Sequence, residues 1–319
     1  MNLDALKAKA GQLAPMASDS VPILQGRILY VDGDGLAYYC AGNDDTLVSQ
    51  ARERVREKVS GMQRAAAAES VVILLTGSGS HKGHRYAIAR AKPYQGQRAN
   101  SRRPKNWRAL RELLEQGAFG KTILDYDREA DDRFGQFGWA DPEHTVIATQ
   151  DKDMRMVPGY HLDWADNRMF FLPRDTYSAV FNDKQYGEKW FWLQMLHGDT
   201  ADFIPGLPRA YGKLCGPVAA EKILAGTYTS EQAAAAVAHA YRSYYNDFWL
   251  DELAEQACLL WMRAGENAHW FEACSLKGPL RHFHKTHREE LYGVWRNLND
   301  RVRQAQEING LATQNDGGG

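Results

Sequence analysis

Cysteine is scarce: Cys40, Cys215, Cys258 and Cys274 are the only four in 319 residues, they stand far apart along the chain, and no CxxC pair occurs. That pattern speaks against a disulfide framework or a thiolate zinc site and predicts four reduced, mostly buried thiols. Long hydrophobic runs are missing too; nothing approaches the roughly 18 uninterrupted apolar residues of a membrane span. The N-terminal stretch MNLDALKAKAGQLAPMASDS has no apolar core of the kind a signal peptide needs. The expectation is a soluble, non-exported, cytoplasmic protein with no membrane partner. Net charge is only −1, so global charge names no partner either. Internal repeats are absent. An apolar content of 44% over this length is enough for one large domain or two smaller ones.

Three short apolar runs read as buried strands. GRILYVDGDG carries Ile28 to Val31 into Asp32, SVVILLTGSGS carries Val71 to Leu75 into a Gly/Ser loop, and HTVIATQDKD ends at Thr149 before an acidic turn. Helical patterns over 47–69 and 106–117 separate them, which predicts an α/β fold with a mainly parallel sheet flanked by helices. In such sheets functional groups collect at the carboxyl ends of the strands. From about residue 231 the pattern is helical throughout, and the glycine-ending tail 309–319 reads as disordered.

The acids come in packets: Asp32 and Asp34; Glu129, Asp131 and Asp132 within DREADDRFG; Asp151 and Asp153; Asp199 and Asp202. Each packet alone could be a helix cap or a solvated turn. On a helix Glu129 and Asp132 share a face while Asp131 points elsewhere, so one packet could serve two centres. Four packets of like charge in one fold call for a positive partner. Oxygen-only ligands suit Mg²⁺ or Mn²⁺, and two such ions can activate water and stabilise the leaving oxygen of a phosphodiester.

The opposite sign is segregated elsewhere. From His81 to Arg111 there is no Asp or Glu, but there are Lys82, Arg85, Arg90, Lys92, Arg98, Arg102, Arg103, Lys105, Arg108 and Arg111, with Tyr86, Tyr94 and Trp107 between them. An acid-free basic run beside an acidic site suits phosphate contact, with aromatics to stack on bases. The clustered His282, His284 and His287 read as an exposed basic loop rather than a metal site.

YVDGDG, HRYAIARAKPYQGQR, EADD, TQDKD and LQMLHGDTADFIPGLP…GPVAAEKIL occur in that order over roughly residues 28–225. This ordered set resembles the flap endonuclease and 5′→3′ exonuclease superfamily, most closely its phage exonuclease branch. The resemblance implies a PIN/resolvase-like nuclease core over 26–190, after an N-terminal extension 1–25. A helix–three-turn–helix DNA clamp over 191–230 and a helical region over 231–308 would follow. It implies a hydrolase of DNA replication that acts at 5′ ends, nicks or flaps, with an RNA–DNA hybrid as the open alternative to DNA, in the host cytoplasm if phage-encoded. Two Mg²⁺ or Mn²⁺ would be held by Asp32, Glu129, Asp131, Asp132, Asp151, Asp153, Asp199 and Asp202. Arg85 and Arg98 would meet the reacting or adjacent phosphate, and Arg102, Arg103 and Lys105 would track the DNA backbone. Gly206, Gly212 and Gly216 would let backbone amides approach DNA, often with a bound K⁺ in this family, and Lys213 and Lys222 would supply charge there.

Three departures from the family pattern stand out. Its acid after the second strand is replaced by Thr76-Gly77-Ser78, with Asp34 the candidate to compensate. Its Tyr-Lys-Gly becomes Tyr94-Gln95-Gly96, with Lys92 the nearest substitute catalytic cation, and its Gly-Pro-Lys becomes Gly216-Pro217-Val218. Two other readings stay open. DGDG, ILLTGS and GDTAD also mimic haloacid-dehalogenase phosphatase motifs, and the departures are compatible with a non-catalytic DNA-structure binder.

Overall fold

The computed structural model describes residues 22–100, 102–265 and 270–315, so most of the N-terminal extension and the last four residues of the tail lie outside it. Six strands form one sheet in the order β3–β2–β1–β4–β5–β6. They are β1 (Leu24–Asp32), β2 (Ala68–Thr76), β3 (Lys121–Asp125), β4 (Thr145–Ala148), β5 (Gly159–Leu162) and β6 (Met169–Leu172). Every pair is parallel except β5–β6. β1 is central, with Val31 opposite Ile73 on one side and Ala148 on the other.

Both faces of the sheet are covered, so its strands read as continuous apolar runs. Leu29, Val31, Ile73 and Leu75 face a cluster built with α1 (Gly33–Cys40), α2 (Val48–Ala66) and α4 (Trp107–Glu115). Between α2 and α4 lies the short α3 (Arg85–Ile88). In α2 the buried Ala51, Val55, Val59, Met62 and Ala66 recur at three- and four-residue spacing, one face of a 3.6-residue helix. The alternate strand residues Tyr30, Val72 and Leu74 face α5 (Ala130–Ala140) and α6 (Glu188–His197). That second cluster runs on through α7 (Pro217–Ile223), α8 (Ser230–Tyr245), α9 (Trp249–Leu260) and α10 (Arg288–Asn315), as far as Val302. The C-terminal helices therefore share a core with the sheet. α10 also extends past residue 308, where the sequence pattern suggests disorder; between there and Asn315 only Gly310 and no proline could stop it. No described helix is long and apolar enough to cross a membrane. All four cysteines are free and buried, and Cys258 and Cys274, far apart in sequence, meet at 3.8 Å.

The junction between core and C-terminal region is ionic. Arg85, with no exposed surface, donates from both terminal nitrogens to Asp132 at 2.8 Å each, and to the carbonyls of Leu259 and Trp261 at the end of α9. Arg263 closes the same knot, its amide on Asp132 and its guanidinium on the carbonyl of Gly83. Gly83 has φ +61°, and a Cβ there would lie 1.7 Å from the Arg263 guanidinium. Burial alone would push Asp132 up, but Arg85 and Arg263 outweigh it and hold the carboxyl at about 2.

Arg85→Ala is expected to cost about 3–5 kcal/mol, because it leaves Asp132 as a buried charge with half its partners gone. Urea unfolding in EDTA measures this. Arg85→Lys should recover little, since an ammonium cannot make the two parallel bonds. A loss under about 1 kcal/mol, the size usual for an exposed pair, would contradict the structural role.

Candidate metal centre

The carboxylates meet where the parallel strands end. Asp32 closes β1 and caps α1, its Oδ1 accepting from the Gly35 amide at 2.8 Å and its Oδ2 from the Thr149 hydroxyl at 2.9 Å. Glu129 precedes α5 and Asp131 lies in its first turn. Asp151 caps the short 3₁₀ turn Lys152–Met156 by accepting from the Asp153 amide at 2.8 Å. Asp199 and Asp202 stand in the loop after α6, where the backbones of Asp199 and Ile204 bond to each other in both directions.

These side chains surround a cleft of about 1160 Å³ whose walls include Asp32, Glu129, Asp131, Asp151 and Asp202, with Lys82 and Arg98. Carboxylate oxygens of Asp153, Asp199 and Asp202 lie within 4.8 Å of one another. Neutralisation is incomplete. Tyr94 donates its hydroxyl to Glu129 at 2.7 Å and to Asp202 at 3.1 Å, and the Gln95 amide reaches the same two acids at 3.1 and 2.8 Å. Lys82 Nζ is 3.3 Å from Glu129 and Arg98 2.7 Å from Asp202. Among the described residues nothing donates a hydrogen bond to Asp131. Burial, then repulsion from Asp151, Asp32, Glu129 and Asp202, pushes Asp131 well above the usual carboxylate range. Burial followed by Asp34 and Asp151 lifts Asp32 to about 7 against the bonds from Gly35 and Thr149. Burial, with Asp151, Asp199 and Asp202, also raises Asp153. Mutually repelling oxygens with no imidazole or thiolate among them fit a hard divalent cation.

Several residues picked out in the sequence have other places. Asp132 is not in the cleft; it is held by Arg85 and Arg263, as the i+3 partner of Glu129 pointing into the protein rather than out of it. Arg85, fully buried and absent from the cleft lining, bridges Asp132 and Glu129, 3.2 Å from the latter, and so braces a cleft acid from behind. Asp34 does line the cleft, but its carboxylate is bound by the Arg111 guanidinium and accepts from the Thr76 amide at 3.0 Å, so it is not free to replace the missing acid. Lys92 lies over the Phe203 ring, 4.8 Å from its centre and outside the cleft lining, whereas Lys82 is inside. In sequence Lys82 is one cation among ten in the basic run; the fold singles it out by bringing the preceding loop, 77–80, to the cleft wall.

The basic run divides in two. Arg85 and Arg111 are buried and paired, Arg111 with Asp34 and Glu115, while the exposed Arg90 pairs with Glu252 and Glu255. Among the described residues Arg102, 85% exposed, reaches the Asp44 carboxylate and Lys105 the Asp44 carbonyl, and Arg103 lies over the Trp107 ring at 4.2 Å. Tyr94 is only 4% exposed and offers no stacking face, while Tyr86 is 51% exposed at the cleft. In the segment 191–230, Lys213, Gly216 and Lys222 line one groove, and Gly212 and Gly216 have nothing within 4 Å of an added Cβ. Gly206 does not face outward: a Cβ there would lie 2.2 Å from the Gly198 nitrogen, so its glycine serves backbone packing. His282, His284 and His287 do not converge, since His284 bonds the Cys274 carbonyl and His287 pairs with Arg242.

No protein-family model and no curated protein sequence matches the chain. Solved structures do match its fold. A bacteriophage T5 5′-exonuclease with bound zinc ions is 16% identical with a TM-score of 0.52, over 86% of this chain and 99% of that one. A bacteriophage T5 flap endonuclease in a pseudo-enzyme–product complex with DNA and metal ions is 16% identical with a TM-score of 0.50, over 87% and 99%. The chain thus has the α/β fold of the flap endonuclease and 5′-exonuclease structures, as its sequence motifs imply.

An acid whose pKa is raised by folding takes up a proton on folding, so its contribution to stability is lost as pH rises between the unfolded and folded values. For Asp32 that window runs from about 4 to about 7. In EDTA the melting temperature should therefore be higher at pH 5.5 than at pH 8. Asp131→Asn should raise it at pH 8 by about 2–4 °C, the shift for about 1 kcal/mol in a chain somewhat under this size. Scanning calorimetry checks both. A flat pH profile together with an unstabilised Asp131→Asn would show the cleft to be electrostatically relaxed.

Proposed function

We propose that the chain is a divalent-metal-dependent nuclease that hydrolyses DNA phosphodiester bonds at 5′ ends, nicks or 5′ flaps. The observation that carries the reading is the set of Asp32, Glu129, Asp131, Asp151, Asp153, Asp199 and Asp202 crowded at one sheet end without enough cations to balance them. Asp32, Glu129, Asp131 and Asp151 would hold one Mg²⁺ or Mn²⁺ and Asp153, Asp199 and Asp202 a second. When bound, the ions supply neutralisation and Lewis acidity at phosphate oxygens.

The protein's own groups orient the substrate. Lys82 and Arg98, on the same cleft wall as Glu129 and Asp202, are placed to hold a phosphate at the acids. Tyr94 and Gln95 each bond both Glu129 and Asp202 and so fix the rotamers of the two acids at the cleft. Tyr86, exposed at the rim, is available to stack on a terminal base. The duplex would extend over Arg102, Arg103 and Lys105 on one side. On the other, Gly212 and Gly216 leave open backbone beside Lys213 and Lys222, where the family resemblance implies K⁺ between amides and phosphate. The phosphatase alternative needs Asp34 as a free acid–base, and Arg111 holds it.

EDTA should abolish cleavage of labelled flapped and nicked DNA, and Mg²⁺ or Mn²⁺ should restore it. Lys82→Ala should lower the single-turnover rate by about ten- to a thousandfold, as for loss of a charge donor to the transition state, while Lys92→Ala stays within about threefold of the wild type. Unaltered cleavage by Lys82→Ala, or cleavage by metal-free protein, would contradict the assignment. Binding, measured in Ca²⁺, should weaken steeply with salt. Replacing Arg102, Arg103 and Lys105 by Ala should flatten the log–log slope by at most about 0.7–0.9 for each phosphate no longer neutralised. An unaltered slope would return that run to a solvated face.

A further inference from the structure

We propose that Lys152 is a built-in competitor for a divalent cation: in the metal-free protein its ammonium takes the position between Asp153 and Asp199 that an ion needs, and it must leave for the ion to enter. The inference rests on the metal-centre reading above and concerns what this chain adds to it.

Lys152 stands between Asp151 and Asp153 at the start of the 3₁₀ turn after β4. Its Nζ lies 2.6 Å from Asp199 Oδ2 and 3.3 Å from Asp153 Oδ1. Those two acids are two of the three whose oxygens gather within 4.8 Å. They are buried, with side chains 4% and 1% exposed, while that of Lys152 is 30% exposed and keeps a route to solvent. Lys152 donates a hydrogen bond to Asp153 Oδ1 and lies in ion-pair range of the buried Asp199 Oδ2, so one ammonium spans both acids.

The knot at Asp132 is the contrast. There a guanidinium makes two aligned bonds and has no exposed surface, the form of a permanent structural pair. A compact ammonium on a flexible four-carbon stem, partly open to solvent, has the form of an exchangeable one. It offsets repulsion between Asp153 and Asp199 in the empty protein and opposes occupation of the same oxygens by an ion. The second ion should then bind more weakly than the first.

Calcium titration by calorimetry on the full chain tests this, with Lys152→Met and Lys152→Gln beside the wild type. The expected result is two classes of site in the wild type and a weaker class that tightens by about tenfold or more in the variants. Thermal unfolding supplies the second readout. The variants should be less stable than wild type in EDTA, and the gap should close or invert in saturating Ca²⁺. A third readout needs no variant: acetylation of Lys152 by an N-hydroxysuccinimide ester, followed by mass spectrometry, should speed up several-fold on adding Ca²⁺. Equal affinities, a stability gap that metal does not alter and unchanged Lys152 labelling would make Lys152 an ordinary structural ion pair and overturn the inference. If no protein binds Ca²⁺ at all, the metal-centre reading falls and this inference with it.

Discussion

Seven carboxylates brought to the end of one sheet repel one another, and burial adds to the penalty because a charge loses its water. The fold answers this with cations of graded permanence. Arg85 is locked, bidentate and fully buried. Lys82 and Arg98 touch the rim acids but remain partly exposed. Lys152 spans Asp153 and Asp199 while keeping 30% of its side chain exposed. Among the described residues Asp131 has no cation bonded to it. Positive charge is thus complete behind the cleft and deficient inside it, the distribution expected where an external cation finishes the balance.

The locked pair also explains what the C-terminal helices do for the site. Arg85 bonds Asp132 at the start of α5 and the carbonyls that end α9, so the turn presenting Glu129 and Asp131 is tied to residues more than a hundred positions away. Glu255, also on α9, accepts from the amides of Arg90 and Ala91 and pairs with Arg301 of α10. The segment from Arg85 to Ala91 is consequently held at both ends by helices that contribute nothing to the cleft lining. An acid displaced by even about an ångström holds a cation poorly, so this remote packing is part of the centre's precision.

The basic run shows the same division in another form. An acid-free stretch looks uniform in sequence, yet Arg90 and Arg111 end in ion pairs with acids from distant segments, while Arg102 pairs with Asp44, Lys105 bonds the Asp44 carbonyl and Arg103 lies over Trp107. Local composition cannot separate these fates, because the partners Glu252, Glu255 and Asp34 come from distant parts of the chain.

Much of the architecture is legible without coordinates. The apolar runs at 28–31, 71–75 and 145–148 and the helical periodicity of 48–66 depend on local pattern, and they appear as β1, β2, β4 and α2. The remaining β3, β5 and β6 escape such a reading; in β3 (KTILD) and β5 (GYHL) polar residues interrupt the apolar ones, unlike the run in β4. The acid packets at strand ends are legible for the same reason as the strands: a short run followed by a polar turn is a local signal. Whether an acid faces the cleft or the core is not, because Asp131 and Asp132 differ only by about 100° of helix rotation, and what fills each side is set by α9 and the sheet. Local sequence, then, determined which residues end strands and start helices. Only the tertiary structure decided which charges are neutralised, since a salt bridge is a meeting of segments that sequence spacing does not record.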